Sequence, residues 1–247
     1  MATSNPAANE DVYGRAGLAE SPGQVMTVAG SVLKTSVLVV LLMVAAGYSW
    51  MQFRAGPTGD HFGWLITTAI GGLVTAVVTI FFPKASPFTA PLYAVLEGLF
   101  LGTISAIYEA RFQGIMIQAV GLSIGVLVLL LVLYGTGLVR ATEKFKIGII
   151  AATGAVCLVY LVTLVLSLFG TRVPFIHEAG PIGIGFSVVV VAIAALNLIL
   201  DFDFIETGSR RGAPKYMEWY AGFSLLVTLI WMYLEILRLL SKLKSRD

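Results

Sequence analysis

Seven long apolar stretches constrain the fold of this chain more than any other feature. Crossing the hydrocarbon core of a bilayer takes about 20 residues of helix, because only a helix or a closed barrel satisfies its backbone hydrogen bonds in lipid. The stretches are apolar on every side instead of alternating with period two, which favours helices over barrel strands. Charged residues make up only 12% of the chain, too few for the surface of a soluble domain. We therefore predict an all-α integral membrane protein, a bundle of seven transmembrane helices at about 35–53, 62–82, 89–110, 115–139, 147–170, 182–202 and 217–241.

The segment before the first apolar stretch is polar, rich in small residues and contains proline. It lacks the basic start and apolar middle of a cleaved signal sequence, so the first stretch is expected to stay as a membrane anchor. We divide the chain into a partly disordered N-terminal tail, residues 1–33, and a seven-helix transmembrane domain, residues 34–247.

The distribution of Lys and Arg over the connections predicts the orientation, because cytoplasmic loops of membrane proteins carry an excess of both. The opposing loops hold only Arg54, Arg111 and Arg172. A cytoplasmic N-terminus is therefore predicted. Nine basic residues lie on the N-terminal side: Arg15, Lys34, Lys84, Arg140, Lys144, Lys146, Arg210, Arg211 and Lys215.

The basic C-terminal tail conflicts with this orientation. Seven crossings place four basic residues outside, namely Arg238, Lys242, Lys244 and Arg246. A last segment that enters and leaves on one side, giving six full crossings, would remove the conflict. We favour seven, because residues 216–240 are long enough to cross.

Glu97 lies near the middle of the third stretch. An acidic side chain at the centre of a bilayer costs about 2.5–3.5 kcal/mol, so each one is a functional candidate that faces the protein interior. The alternative is a protonated, hydrogen-bonded carboxyl that fixes helix packing. Gly98 and Gly102 form a small-xxx-small pair that lets a neighbouring backbone approach closely. This helix is therefore predicted to be central.

Three carboxylates lie at the cytoplasmic end of the sixth stretch: Asp201, Asp203 and Glu206. Residues two apart on an α-helix are about 200° apart around its axis, so Asp201 and Asp203 cannot both face one cavity. Asn197 shares the face of Asp201, which is therefore predicted to point inward. Asp203 and Glu206 are expected to meet water or nearby basic residues, and a solvated helix end is the alternative.

Glu218 begins the last stretch, after a link of about ten residues that is typical of a tight helical hairpin. In such a hairpin Asp201 and Glu218 lie at similar depth. Two carboxylates in contact would share a proton, so we predict a pH-sensitive latch between them. For Glu235, farther along the same helix, a local ion pair with Arg238 at i+3 is the simpler expectation.

Several patterns argue against other classes of protein. Ser123 lies in a nucleophile-elbow sequence that falls inside a helix, and both histidines, His61 and His177, are in connections, so we expect no enzymatic activity. A net charge of +2 without a basic stripe argues against nucleic acid as a partner. The lone Cys157 cannot form an internal disulfide. With no transition-metal spacing and no tightly bound cofactor expected, any metal handled is predicted to be a hard cation bound by oxygen.

These features resemble the Bax inhibitor-one family, also called transmembrane Bax-inhibitor-motif or YccA-like proteins. The resemblance spans most of the chain from about residue 34. It is carried by the seven short helices, by the runs at 97–102 and 201–206, and by the final run at 234–240. It is closest to a bacterial branch with the Asp-Phe-Asp-Phe-Ile-Glu and Met-Glu-Trp-Tyr signatures.

The resemblance implies a pH-sensitive calcium leak channel or transporter of the bacterial cytoplasmic membrane, with an aspartate pair on the last two helices as the pH sensor. Calcium would be the permeant ion, and Asp201, Glu218 and Glu97 its candidate contacts. The candidate residues of the ion path and of pH sensing are Glu97, Asp201, Asp203, Glu206 and Glu218. Family members place the second aspartate inside the last helix, whereas residues 222–228 contain no acid here. Asp201 or Asp203 would take the first role, and Glu218, Glu97 or an acid of the same helix the second.

A non-conducting role is the rival interpretation. In that case the carboxylates are structural, and the protein is a membrane scaffold or regulator that binds another membrane component, such as a quality-control protease or a stress factor. Both interpretations place the chain in the lipid bilayer.

Overall fold

A computed structural model of the protein describes residues 11–17, 24–54, 61–169 and 180–246, and nearly all of them are helical. The only β-structure in these ranges is an isolated bridge between Val25 and Pro214. This confirms the all-α prediction. The helices are α1 Asp11–Ala16, α2 Val28–Arg54, α3 His61–Phe81, α4 Ser86–Arg111, α5 Ile115–Gly135, α6 Glu143–Leu168, α7 Pro181–Arg210 and α8 Met217–Lys244, and a 3-10 turn at Pro83–Ala85 precedes α4.

Seven of these helices, α2 to α8, are long and apolar enough to cross a membrane, which confirms the predicted number. Two of them extend at one end well beyond the predicted bounds. The first begins at Val28 instead of near residue 35, and α7 continues to Arg210 instead of ending near residue 202. The extension of α2 ends in Lys34 and that of α7 carries Asp203, Glu206 and Arg210, and a hydropathy pattern stops at these charged residues.

The connections follow local turn chemistry. Thr142 caps α6, because its hydroxyl accepts a hydrogen bond from the backbone N–H of Phe145. Gly114 joins α4 to α5 with a φ of 76°, a left-handed conformation that glycine adopts without steric cost.

The chain divides into two compact units. The first holds α1 to α4 together with Asp201–Val227, which is the cytoplasmic-facing hairpin of α7 and α8 in the predicted orientation. The second holds Gly114–Leu200 and Thr228–Asp247, and so contains α5, α6 and the remaining parts of α7 and α8.

Helix α4 is central to the first unit, as predicted, and packs against both α2 and α3. The small-xxx-small pair provides the contact with α2. A Cβ atom added to Gly98 would lie 2.4 Å from the carbonyl oxygen of Leu42, and one added to Gly102 would lie 2.2 Å from that of Ala46. The two backbones therefore touch, and no larger residue fits at either position.

Part of the N-terminal tail is folded onto the first unit. Backbone hydrogen bonds of 2.7 Å join Met26 to Ala213 and Lys215 to Gln24. In α1, the hydroxyl of Tyr13 donates to the carbonyl of Phe204 at 2.8 Å. The tail was predicted to be partly disordered over residues 1–33, and its residues 1–10 and 18–23 lie outside the described residues.

Helix α8 runs without a break from Met217 to Lys244. Near its end the ammonium of Lys242 donates to the carbonyl of Gly183 at 3.0 Å and to the hydroxyl of Ser187 at 2.8 Å, both in the first turns of α7. The C-terminal end of α8 therefore lies beside the N-terminal start of α7. A full crossing by α8 requires this arrangement, whereas a re-entrant segment does not.

Candidate functional site

Asp201 is a buried carboxylate in the first unit, with only 1% of its surface exposed. Its Oδ1 accepts a hydrogen bond of 2.7 Å from the hydroxyl of Ser224, which lies on α8. Ser224 is also buried and is about 10 Å from the start of its helix, at 1.5 Å per residue. The inward orientation predicted for Asp201 is therefore found, with a hydroxyl of the last helix as its neighbour.

Asn197, predicted to share the face of Asp201, is buried one turn earlier on α7. Its amide donates to the hydroxyl of Thr153 on α6 at 2.9 Å, and to the carbonyl of Ile193 at 2.8 Å. Asn197 therefore belongs to the second unit and ties α7 to α6.

Glu218 does not pair with Asp201, and the predicted latch between them is wrong. Glu218 is 1% exposed, and its Oε1 accepts hydrogen bonds from the backbone N–H of Thr27 at 3.1 Å and from the hydroxyl of Thr27 at 3.0 Å. The physical reason is its position on α8. It precedes Ser224 by six residues, or about 9 Å along the helix axis, so it reaches the start of α2 instead of the depth of Asp201.

The contact of Glu218 has the character of a helix cap. The hydroxyl of Thr27 accepts from the backbone N–H of Gly30, and Glu218 adds a negative charge at the N-terminus of α2. Both features stabilise a helix start, since its first N–H groups lack intrahelical partners and its dipole is positive there. Gly30 also makes room, because an added Cβ atom would lie 2.0 Å from Oε1 of Glu218.

Asp203 and Glu206 are half-buried on another side of α7. Glu206 forms an ion pair with Arg210 one turn later. A basic neighbour was predicted for this residue, and the geometry supplies one. An exposed pair of this kind contributes at most about 1 kcal/mol to stability.

Glu97 is the twelfth of the 26 residues of α4 and so lies at the middle of its span. It is half-buried, on the face of α4 that meets α3. A Cβ atom added to Gly72 of α3 would lie 2.6 Å from Oε1 of Glu97. The carboxyl therefore lies directly over the backbone of α3, while the glycine pair of α4 meets α2.

A row of aromatic rings runs through the same unit. Their centroid separations in order are 4.5, 6.2, 6.2 and 4.9 Å. At one end of the row, Tyr93 lies one turn before Glu97 on α4, and its ring contacts Phe223, which precedes Ser224 on α8. At the other end, Tyr13 is in α1. All five side chains are buried, so the row fills the interior of the first unit beside the carboxyls of Asp201 and Glu97. Its members are Tyr13, Phe204, Tyr220, Phe223 and Tyr93.

A second polar cluster lies in the other unit, on the far half of α8. The hydroxyl of Tyr160 donates to Glu235 at 2.9 Å, and Arg238 contacts Glu235 at 2.9 Å and the hydroxyl of Tyr160 at 2.5 Å. The predicted i, i+3 ion pair is therefore present, with a tyrosine of α6 added to it. Glu235 is 2% exposed at its side chain, so this pair is a buried one.

The three residues predicted as calcium contacts do not form one coordination set. Glu218 is held by Thr27, and Asp201 and Glu97 have different neighbours. Within the described ranges no group of three or more His, Cys, Asp or Glu side chains could hold a metal ion. The acids are spaced along the helices rather than gathered at a chelating site.

Sequence reasoning missed Ser224 and Thr27, the partners of the two most buried acids. Hydroxyl groups in membrane helices bond readily to their own backbone, so their presence alone does not indicate a partner. A spacing signal did exist for Ser224. In an antiparallel hairpin whose turn is centred near residue 213, a residue twelve before the centre faces one about twelve after it.

These observations define the class first: a multi-pass helical membrane protein with acidic side chains buried inside its spans. A model of the family described as Bax inhibitor 1 like matches residues 3–245, nearly the entire chain. The protein therefore belongs to the Bax inhibitor 1 like family, as the resemblance implied. No curated protein and no solved structure matches the chain.

Proposed function

We propose that this protein is a pH-sensitive cation leak channel or transporter, with calcium as its permeant ion. The observation that carries this proposal is Asp201, a carboxylate at 1% exposure within a membrane-spanning helix, bonded to Ser224 of the next one. Burying an ionisable group in lipid is costly, and such groups are kept where they serve an ion or proton path. No catalytic chemistry is proposed.

The chemistry of the first unit suits a hard cation. Carboxylate and hydroxyl oxygens are the ligands that calcium prefers, and Asp201, Ser224 and Glu97 supply them. Because these oxygens are not gathered at one site, they suit the passage of a cation better than its tight binding. Oxygens that are spread along a path bind an ion weakly enough for it to leave, whereas a closed cage would retain it.

We assign this conformation to the closed state of the proposed path, since the aromatic row fills the interior beside Asp201 and Glu97. Opening would require α7 and α8 to separate near Asp201. Protonation provides a means, because it removes the charge of Asp201 and changes its bond with Ser224 from carboxylate–hydroxyl to carboxyl–hydroxyl. Glu218 is left out of this step, since it caps α2.

The proposed location is the bacterial cytoplasmic membrane, with the N-terminus in the cytoplasm. The basic C-terminal end weighs against this orientation less than its sequence suggests. Arg238 is paired with Glu235, and Lys242 is 5% exposed and bonded to α7. The positive-inside rule describes charges free to remain at the membrane surface, and these two are engaged inside the protein.

Ion flux into liposomes tests the proposal. Purified protein should admit calcium faster than protein-free liposomes do, and the flux should change with pH. Sodium and proton flux measured in parallel identify the permeant ion. Protein that is folded and inserted but conducts none of the three would contradict the proposal.

A scaffold role is the second candidate, and two observations favour it. The carboxylates of Glu218 and Glu235 both fasten one helix to another, which is a structural use of a buried charge. If Asp201 and Glu97 serve the same purpose, the protein binds another membrane protein, such as a protease, without conducting. The absence of flux with intact stability would select this function.

A further inference from the structure

Gly72 of α3 and Glu97 of α4 meet at the middle of the membrane-spanning part of the first unit. A Cβ atom at position 72 would lie 2.6 Å from Oε1 and 3.2 Å from Cδ of Glu97. No real Cβ atom approaches an oxygen so closely, so the carboxyl occupies the space that any other residue at position 72 would fill.

The obstacle at Gly72 differs in kind from the obstacle at Gly98 of α4. At Gly98 the added atom would meet a backbone carbonyl of α2, which cannot move without separating the helices. At Gly72 it would meet the far end of a flexible side chain. An alanine at position 72 can therefore be accommodated by rotating the carboxyl, at the cost of moving it.

The face of α3 around Gly72 is polar. Thr68, Thr75 and Thr79 are buried on it, at spacings that put them on the same side of the helix as Gly72. Each hydroxyl donates to a carbonyl of its own helix, and Thr79 also lies 2.8 Å from the hydroxyl of Thr89 on α4. A hydroxyl that donates a hydrogen bond still has oxygen lone pairs. The seam between α3 and α4, where these threonines lie, therefore offers oxygen ligands to a cation.

We propose that Gly72 is a positioning residue: by lacking a side chain it holds the carboxyl of Glu97 in the seam between α3 and α4, where that carboxyl contacts the permeant cation. The inference rests on the proposed function, since it assigns a geometric requirement to one of the two acids of the path. It identifies α3 as the helix that sets the place of this acid.

The test compares Gly72→Ala with Gly71→Ala, its neighbour in the same turn. A Cβ atom at Gly71 would lie 3.3 Å from Cδ1 of Leu96, a contact that a small shift relieves. Calcium flux into liposomes should fall severalfold in Gly72→Ala and stay near wild type in Gly71→Ala. Equal flux in the two variants would overturn the proposal.

A readout that does not depend on transport separates this inference from the proposed function. The carboxyl band of Glu97 in infrared spectra can be identified by its loss in Glu97→Gln. That band should shift in Gly72→Ala and not in Gly71→Ala. Should wild-type protein conduct no ion, the proposed function fails, while the shifted band still supports the contact; an unmoved band overturns the positioning role whatever the flux.

Thermal unfolding in detergent covers the case in which Gly72→Ala does not fold. The three atoms nearest to the added methyl group all belong to Glu97, so Gly72→Ala should be harmless in a Glu97→Ala background. Recovery of the folded protein in that double variant supports the contact. Equal loss of stability in both backgrounds would mean that Gly72 serves the packing of α3 on α4, which contradicts the proposal.

Discussion

The hydroxyl of Ser224 on α8 donates a 2.7 Å hydrogen bond to the buried carboxylate of Asp201 on α7. The last helix thus brings a hydroxyl, and no second acid, to this part of the hairpin. This bond joins α7 to α8 inside the first unit.

Replacing Ser224 by alanine should destabilise the protein by about 1–3 kcal/mol, because Asp201 would lose a donor while staying buried. In an Asp201→Asn background the same change should cost less, since an amide needs this donor less than a carboxylate does. Denaturation in detergent measures both values. Ser123→Ala is the matched control, because Ser123 bonds only within its own helix, to the carbonyl of Ala119. A loss no larger than that of the control would show that the Ser224 bond is unimportant.

Glu218→Ala should lower stability by about 1–2 kcal/mol, as expected for the loss of a helix cap. Thr27→Val should have a similar effect, and the double variant should cost less than the sum, because the two residues bond to each other. The pH profile of calcium flux should be unchanged in Glu218→Gln. A flattened profile would restore Glu218 to the pH-sensing site and contradict its assignment as a cap.

Arg238→Ala should destabilise the second unit by about 1–3 kcal/mol, because it leaves Glu235 buried without its counter-ion. A fully buried ion pair would cost more to break, but the side chain of Arg238 is 36% exposed. Adding Glu235→Gln should recover much of the loss. If Arg238→Ala is as stable as wild type, the ion pair does not stabilise the packing of α8. Thermal unfolding in detergent, followed by circular dichroism, measures these differences.

Cysteine labelling in cells tests the seven crossings and the orientation. Cys157 is exposed on α6, so Cys157→Ala provides a background without reactive thiols. In that background a cysteine at Ser245 should react with a membrane-impermeant reagent from outside, and one at Ser209 only after the cells are opened. Reaction of both positions only in opened cells would place the two ends of α8 on one side and contradict a full crossing.

The sequence was sufficient for the number of helices and for their class, because the apolar stretches are long and the bilayer fixes the length that they need. It was also sufficient for the glycine contact of α4, since the spacing of Gly98 and Gly102 has one common structural use. The burial of Asp201 followed from helix periodicity and from the cost of a charge in lipid.

The partners of the acids could not be predicted in the same way. The depth of Glu218 was inferred from a hairpin of assumed length, and α7 proved to continue to Arg210, which moves Glu218 away from Asp201 along the paired helices. Its true partner, Thr27, belongs to a segment that composition assigned to the tail. Contacts between residues far apart in sequence depend on how the helices pack, and hydropathy carries no information about that.

The most direct test of the account is calcium flux into liposomes that contain Asp201→Asn or Glu97→Gln protein, compared with wild type and with Glu143→Gln. Each substitution keeps the volume of the side chain and removes its charge, and Glu143 is an exposed acid at the start of α6, outside the proposed path. The account predicts that flux falls severalfold in the first two variants, with Asp201→Asn also flattening the pH profile, and is unchanged in Glu143→Gln. Full flux in Asp201→Asn and Glu97→Gln, with only their stability reduced, would show that both carboxyls are structural and would contradict the proposed path.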